Sequence, residues 1–199
     1  MSRLWRGLAV VGISLQLGGC ALGLLGSGPP PTTYDLAASV GGRQLGGTAA
    51  RLAVRVPTAI QIFDSERIAI RPEAGLVAYY GGAQWTDRLP PLIEARLVEA
   101  FERSGVRTVT RISDGLTVDY QLLSEVRDFS VHNTQAGQFA RVSLYVKLAG
   151  DREGRTIAGR LFEAEAPVHG DDTAAGVAAL SVALGEVLVG VVRWTLASI

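Results

Sequence analysis

Cysteine is almost absent: the 199 residues hold a single one, Cys20. One thiol cannot form an internal disulfide, even in an oxidising compartment, and it rules out a cysteine-ligated zinc module. Lysine is as scarce, with Lys147 alone, and the 19 basic side chains are balanced by 19 acidic ones. No cationic surplus exists to draw nucleic acid to the surface. Histidine occurs only at His132 and His169, far apart and each without a second histidine nearby. The Gly-x-Ser-x-Gly, His-Glu-x-x-His and Gly-x-x-x-x-Gly-Lys patterns do not occur. The expectation is a protein without catalytic residues, metal or cofactor, and therefore not an enzyme. A hydrophobic content of 48% nonetheless calls for a folded domain with a real core.

The chain opens with Arg3 and Arg6, followed by the uncharged apolar run Gly7 to Leu17. Eleven residues make roughly 16 Å of helix, about half a bilayer core, which suits an export signal better than a membrane span. Leu17-Gly18-Gly19-Cys20 follows directly, with an aliphatic residue three places before the cysteine and small residues beside it. This is the lipobox arrangement that exposes a thiol to a diacylglyceryl donor and a Gly19–Cys20 bond to a peptidase. Residues 1–19 are accordingly read as a signal peptide. Cys20 is read as the lipid-attachment site, with an N-linked palmitate completing the anchor. Each buried methylene contributes about 0.8 kcal/mol and two or more chains hold stably, so such an anchor is effectively permanent. Ala21, in place of aspartate, favours the outer membrane over retention at the inner one. Residues 20–33 (through Gly, Ser and Pro29-Pro30-Pro31) read as a lipidated tether. Residues 34–199 make the domain.

Within that domain, Tyr34-Asp35-Leu36 reads as a short strand and Val40 to Gly47 as a glycine-rich loop. Arg51 to Val56 alternates as a half-buried strand ended by Pro57, and Glu66 to Arg71 and Leu76 to Tyr80 add two more. Leu89, Leu92, Ile93, Leu97, Ala100 and Phe101 make one apolar stripe of a helix. Thr86 or Asp87 is placed to cap it, Pro90 and Pro91 lie in its first turn, Glu99 and Arg103 pair along it, and Gly105 ends it. Leu116, Val118, Tyr120 and Leu122 share a face, whereas Phe129 and Val131 have the opposite parity. Either a bulge near Glu125 to Asp128 shifts the pleat, or the strand moves to a second buried surface. Ala140 to Leu148 and Thr156 to Ala166 are the next long strands, joined by turns at Asn133 to Gly137 and Gly150 to Gly154. Asp171-Asp172-Thr173 caps a final helix over about Ala174 to Ala197. It is apolar on most sides, but Glu186 and Arg193 make it costly as a membrane span. A helix packed on the sheet is expected, its remaining apolar side turned to a neighbour. The pattern predicts an α+β fold, an antiparallel β-sheet with two main helices packed on one face.

Tyr79, Tyr80 and Trp85 form the most distinctive local cluster, and Trp194 stands late in the last helix. Each is either a core residue or a partner-binding anchor. The order of features resembles the ABC-type transport auxiliary lipoprotein component family, which includes the lipoprotein of Pqi-type, MCE-associated lipid transporters. The resemblance rests on the lipobox, Tyr34-Asp35-Leu36, Leu52-Ala53-Val54, and above all Tyr79-Tyr80 with Gln84-Trp85-Thr86-Asp87-Arg88-Leu89-Pro90. A closing Ala/Leu-rich helix bearing Trp194 completes it. The resemblance implies a non-enzymatic component held at the periplasmic face of the outer membrane. Its implied partners are an MCE-domain protein, a permease and an ATPase, with self-association into a homo-oligomer, and its implied role is that of a docking or conduit adaptor. The alternative is an outer-membrane assembly or secretin-pilot lipoprotein, and a lipid-anchored hydrolase using His132 or His169 is the third reading.

Overall fold

The computed structural model describes residues 30–37, 48–150 and 155–199. The signal peptide, Leu17, Gly18, Gly19 and Cys20 lie outside the described residues, as do Val40 to Gly47 and most of the Gly150 to Gly154 turn. Residues Pro31–Ile199 form one compact unit.

Among the described residues nine strands and two helices follow one another as β1 Thr32–Tyr34, β2 Arg51–Val54, β3 Thr58–Ala59, β4 Arg67–Arg71, β5 Ala78–Trp85, α1 Leu89–Ser104, β6 Thr108–Arg111, β7 Tyr120–Thr134, β8 Gly137–Gly150, β9 Thr156–Pro167 and α2 Thr173–Leu196. The class is α+β, as the patterning predicts. The three long strands β7, β8 and β9 pair antiparallel as expected, β7 turning into β8 between the paired Thr134 and Gly137. The short strands add a parallel component that alternation does not reveal. β2, β3 and β4 line up one after another along the other edge of β7, at Tyr120 to Leu122, Glu125 to Val126 and Ser130 to His132. β6 then joins β2, and β5 and β1 extend the sheet beyond β4, with β1 parallel to β5.

The parity change in β7 is a bulge. The β7–β8 register shifts between Val126 and Asp128, which sets Arg127 aside and returns Phe129 and Val131 to the face already used by Leu122 and Val126. The alternation does not extend back to Leu116, which is 61% exposed. A 3-10 turn over Ile112–Asp114 and left-handed Gly115 (φ 68°) end the preceding segment, and pairing resumes only at Tyr120.

Helix α2 covers the face built by Val142, Leu144, Val146 and Leu148 of β8, α1 packs beside it on β2 and β6, and one contiguous core results. Helix α1 ends at left-handed Gly105 (φ 96°), and Arg103 and Arg96 both pair with Glu99. Its start departs from expectation: the N-cap is Arg88, and neither Thr86 nor Asp87 caps the first turn. Pro90 and Pro91 have no N–H to satisfy, and the Leu89 N–H donates to the Ser65 carbonyl at 3.1 Å, so little is left for a side chain to cap. At α2 the expected cap is present, Asp172 accepting from the Ala175 N–H at 2.8 Å. Among the described residues α2 is the one helix long and apolar enough to cross a membrane. It packs instead on β8 and β9, with Leu180, Ala183, Leu184, Leu188 and Val191 fully buried. Among the described residues β9 pairs only with β8. Arg160, Glu163, Glu165 and Pro167 on this strand discourage further edge pairing.

Candidate functional site

Alternation along β5 sends its aromatic side chains in different directions. Trp85 is 1% exposed and meets Phe129 edge-on at 6.0 Å within the core. Tyr80 turns toward the start of α2, close enough that a side chain at Gly176 would sit 2.9 Å from its hydroxyl. Burial, and secondarily the charge of Asp172, raises the Tyr80 pKa above its ordinary value, so it stays a neutral phenol. Tyr79 lies on the opposite face, its ring 3.5 Å from the Arg67 guanidinium. Both line an open cavity of about 510 Å³ with Ile62, Asp64 and Val77. Trp194 meets Phe162 edge-on at 5.6 Å and packs against the core margin. Of the four aromatics singled out by sequence, Trp85 is core and Tyr79, Tyr80 and Trp194 pack against its margin, with Tyr79 also lining a surface cavity.

A second surface lies along the outer side of α2. Ser181, Val182, Gly185, Glu186 and Val189 line a shallow groove of about 460 Å³, and Val182 is 56% exposed. Helix α2 carries only Glu186 and Arg193 as charges, so its outward side stays largely apolar. The small residues Ser181 and Gly185, one turn apart, keep this side flat.

His132 is neither a surface nor a loop residue. It sits within β7, stacked on Phe139 at 5.0 Å, and reaches Asp128 and Ser130 on the sheet face opposite the helices. Arg71 donates to the same Ser130 oxygen at 3.2 Å and lies 3.8 Å from Asp128. A serine, a histidine and an aspartate are therefore adjacent, but their bonding is not that of a nucleophile and its base. Both Ser130 and Asp128 contact the same histidine nitrogen, Nε2, at 3.1 Å. A triad needs one ring nitrogen for each. Ser130 is 0% exposed and its hydroxyl donates to Asp128, so no substrate carbon reaches it. The i, i+2, i+4 spacing of Asp128, Ser130 and His132 reads in sequence as ordinary strand alternation, which is why the cluster is not legible there. His169 is exposed. Among the described residues no group of three or more His, Cys, Asp or Glu is placed to hold a metal ion.

The model of the ABC-type transport auxiliary lipoprotein component family matches residues 34–192, from β1 through most of α2. The chain belongs to this family. It is a family of lipoprotein components of transport systems, not an enzyme family, and its lipoprotein character implies an envelope protein anchored to a membrane. A crystal structure of a Xanthomonas campestris protein has the same fold, with a TM-score of 0.74 and 32% identity, covering 84% of this chain and 96% of that one. An uncharacterised protein of known structure superposes with a TM-score of 0.67 at 16% identity, over 84% of this chain and 99% of its own, a likeness of fold alone. An uncharacterised protein of Bradyrhizobium diazoefficiens is 30% identical over 183 residues, 88% of this chain and 48% of that relative. The chain thus spans about half the length of that relative.

Proposed function

We propose that this chain is a lipid-anchored periplasmic auxiliary component of an ABC/MCE-type envelope lipid transport system. It sits at the outer membrane through Cys20 and acts as a docking or conduit adaptor with no chemical step of its own. The observation that carries the docking role is the outer side of α2. A helix whose inner side already fills the core still presents Val182 and Val189 around a groove. A patch of that kind is best explained by a protein neighbour. Family membership and the Leu17-Gly18-Gly19-Cys20 motif support the anchor and the transport setting. ATP is then hydrolysed by a separate subunit, and the partners are that ATPase, a permease and an MCE-domain protein.

The test is co-purification of the tagged full chain from cross-linked native membranes, after separation of inner and outer membrane. The expected result is a wild-type chain in the outer-membrane fraction carrying the MCE-domain protein, and a Cys20→Ala chain lost from that fraction. Recovery with a secretin or a barrel-assembly machine, and without any MCE-domain protein, overturns the reading.

A further inference from the structure

The sheet face opposite the helices holds a small cavity that the docking role does not use. Leu123, Lys147 and Gly159 are neighbours across β7, β8 and β9. Arg55 extends the row on the other side, one residue past the Val54–Leu122 pair, with its N–H bonded to the Leu122 carbonyl at 3.0 Å. Strands spaced by about 4.8 Å put the Arg55 and Lys147 backbones roughly 10 Å apart, with Leu123 between them. Glu125, Tyr145 and Leu161 form the adjacent row. Arg55, Val56, Leu123, Glu125, Tyr145 and Lys147 line a cavity of about 160 Å³.

Glycine at 159 is what gives this cavity its shape. A Cβ there would lie 2.8 Å from the Tyr145 hydroxyl and 3.6 Å from Cγ of Lys147. The tyrosine ring leans across β9 because that position has no side chain. The charges are unbalanced. Glu125 is taken by Arg127 at 2.9 Å. Arg55 donates to the neutral amide oxygen of Gln121 at 3.1 Å, and the Lys147 ammonium lies 5.6 Å from the Tyr145 ring centre. Among the described residues neither cation is paired with a carboxylate. With Glu125 paired to Arg127, Arg55 and Lys147 leave two positive charges at the cavity that no carboxylate of the described residues pairs with. The rest of the lining is Val56, 48% exposed, with Leu123, the tyrosine ring, Thr58 and Ser124, and Leu161 beyond Tyr145 on β9 is 46% exposed.

From this arrangement we infer that the cavity binds an anionic amphiphile, a phosphate or carboxylate head bearing a short alkyl segment. The anion accepts hydrogen bonds from the Arg55 guanidinium and the Lys147 ammonium, whose fork and point charge suit such oxygens. The alkyl segment lies on Leu123, Val56 and the face of Tyr145. A cavity of about 150 Å³ holds a molecule the size of benzene, so this one takes a head group and a few carbons, not a whole two-chain lipid. The inference stands on the cavity alone. Its failure leaves the docking role untouched, and the reverse also holds.

Lys147 is the only lysine in the chain, so it reports on its own surroundings. Reductive ¹³C-dimethylation of the full chain in nonionic detergent keeps its charge and gives one side-chain NMR signal. Hexyl phosphate is expected to move that signal saturably. Inorganic phosphate should bind at least tenfold more weakly, and hexanol should leave the signal in place. Arg55→Gln should weaken hexyl phosphate about tenfold or more, the usual consequence of losing one charged hydrogen bond, with an unchanged circular dichroism spectrum. The inference is overturned by the absence of saturation, by equal affinity for inorganic phosphate, or by an unaltered Kd in a folded Arg55→Gln chain. Tighter binding of acetyl-Leu-Glu-Leu-amide than of hexyl phosphate overturns it too, and would make the cavity a peptide-docking site.

Discussion

Gly176 and Tyr80 provide a quantitative test of how α2 meets the sheet. Within a helix, Gly→Ala ordinarily stabilises by about 1 kcal/mol through backbone entropy. Here the added methyl would lie 2.9 Å from the Tyr80 hydroxyl, 3.3 Å from the adjoining ring carbon and 3.2 Å from Cγ2 of Val131. Overpacking of this kind costs about 1–3 kcal/mol. Val131 belongs to the central strand β7 and is fully buried, so it cannot move aside readily. The steric term should therefore win, and Gly176→Ala should destabilise by about 1 kcal/mol, roughly 2–4 °C in Tm for a domain of this size. Tyr80→Phe removes the closest atom and by itself should change stability by less than about 0.5 kcal/mol. In that background the alanine should be close to neutral, a coupling of about 1 kcal/mol between the two sites. Urea unfolding of residues 31–199, followed by circular dichroism and tryptophan fluorescence, measures all four corners of the cycle. If Gly176→Ala raised stability by the full helix-propensity gain whatever stood at position 80, the close packing of α2 against β5 and β7 would be refuted.

Further expectations concern the helix cap and an acidic turn. Asp172→Ala removes the acceptor for the Ala175 N–H at 2.8 Å and should lower stability by about 1 kcal/mol, with Asp172→Asn close to wild type. Equal unfolding midpoints for the alanine and asparagine variants would show that the cap contributes nothing. Asp114 accepts from the Thr110 hydroxyl and from the Arg111 N–H at 3.0 Å, and these bonds, the threonine's foremost, hold its carboxyl below its ordinary pKa. A depressed folded-state pKa contributes stability that is present above the unfolded pKa and is lost as pH falls through the folded value. Thr110→Val should raise the Asp114 pKa, so that the 3-10 turn loosens at a higher pH. A ¹³C carboxylate titration reads this directly, and an unmoved Asp114 midpoint would contradict it.

Local pattern carried a large part of this protein. The α+β class, the three long strands and the two helices are all legible in the sequence, because alternation and the 3.6-residue stripe depend only on which face is buried. The change of parity in β7 shows too, as Phe129 and Val131 fall out of step with Leu122, but the β7–β8 register decides that it is a bulge and not a second buried surface. Alternation names a face but never a neighbour, so tertiary structure alone decided the rest. The lineup of β2, β3 and β4 along one edge of β7 is a choice among partners distant in sequence. So is the assignment of Trp85 to the interior, of Tyr80 to the start of α2 and of Tyr79 to a cavity. The gathering of Asp128, Ser130, His132 and Arg71, and the approach of Arg55 to Lys147 over Leu123, likewise exist only after strands far apart in the chain have chosen their register.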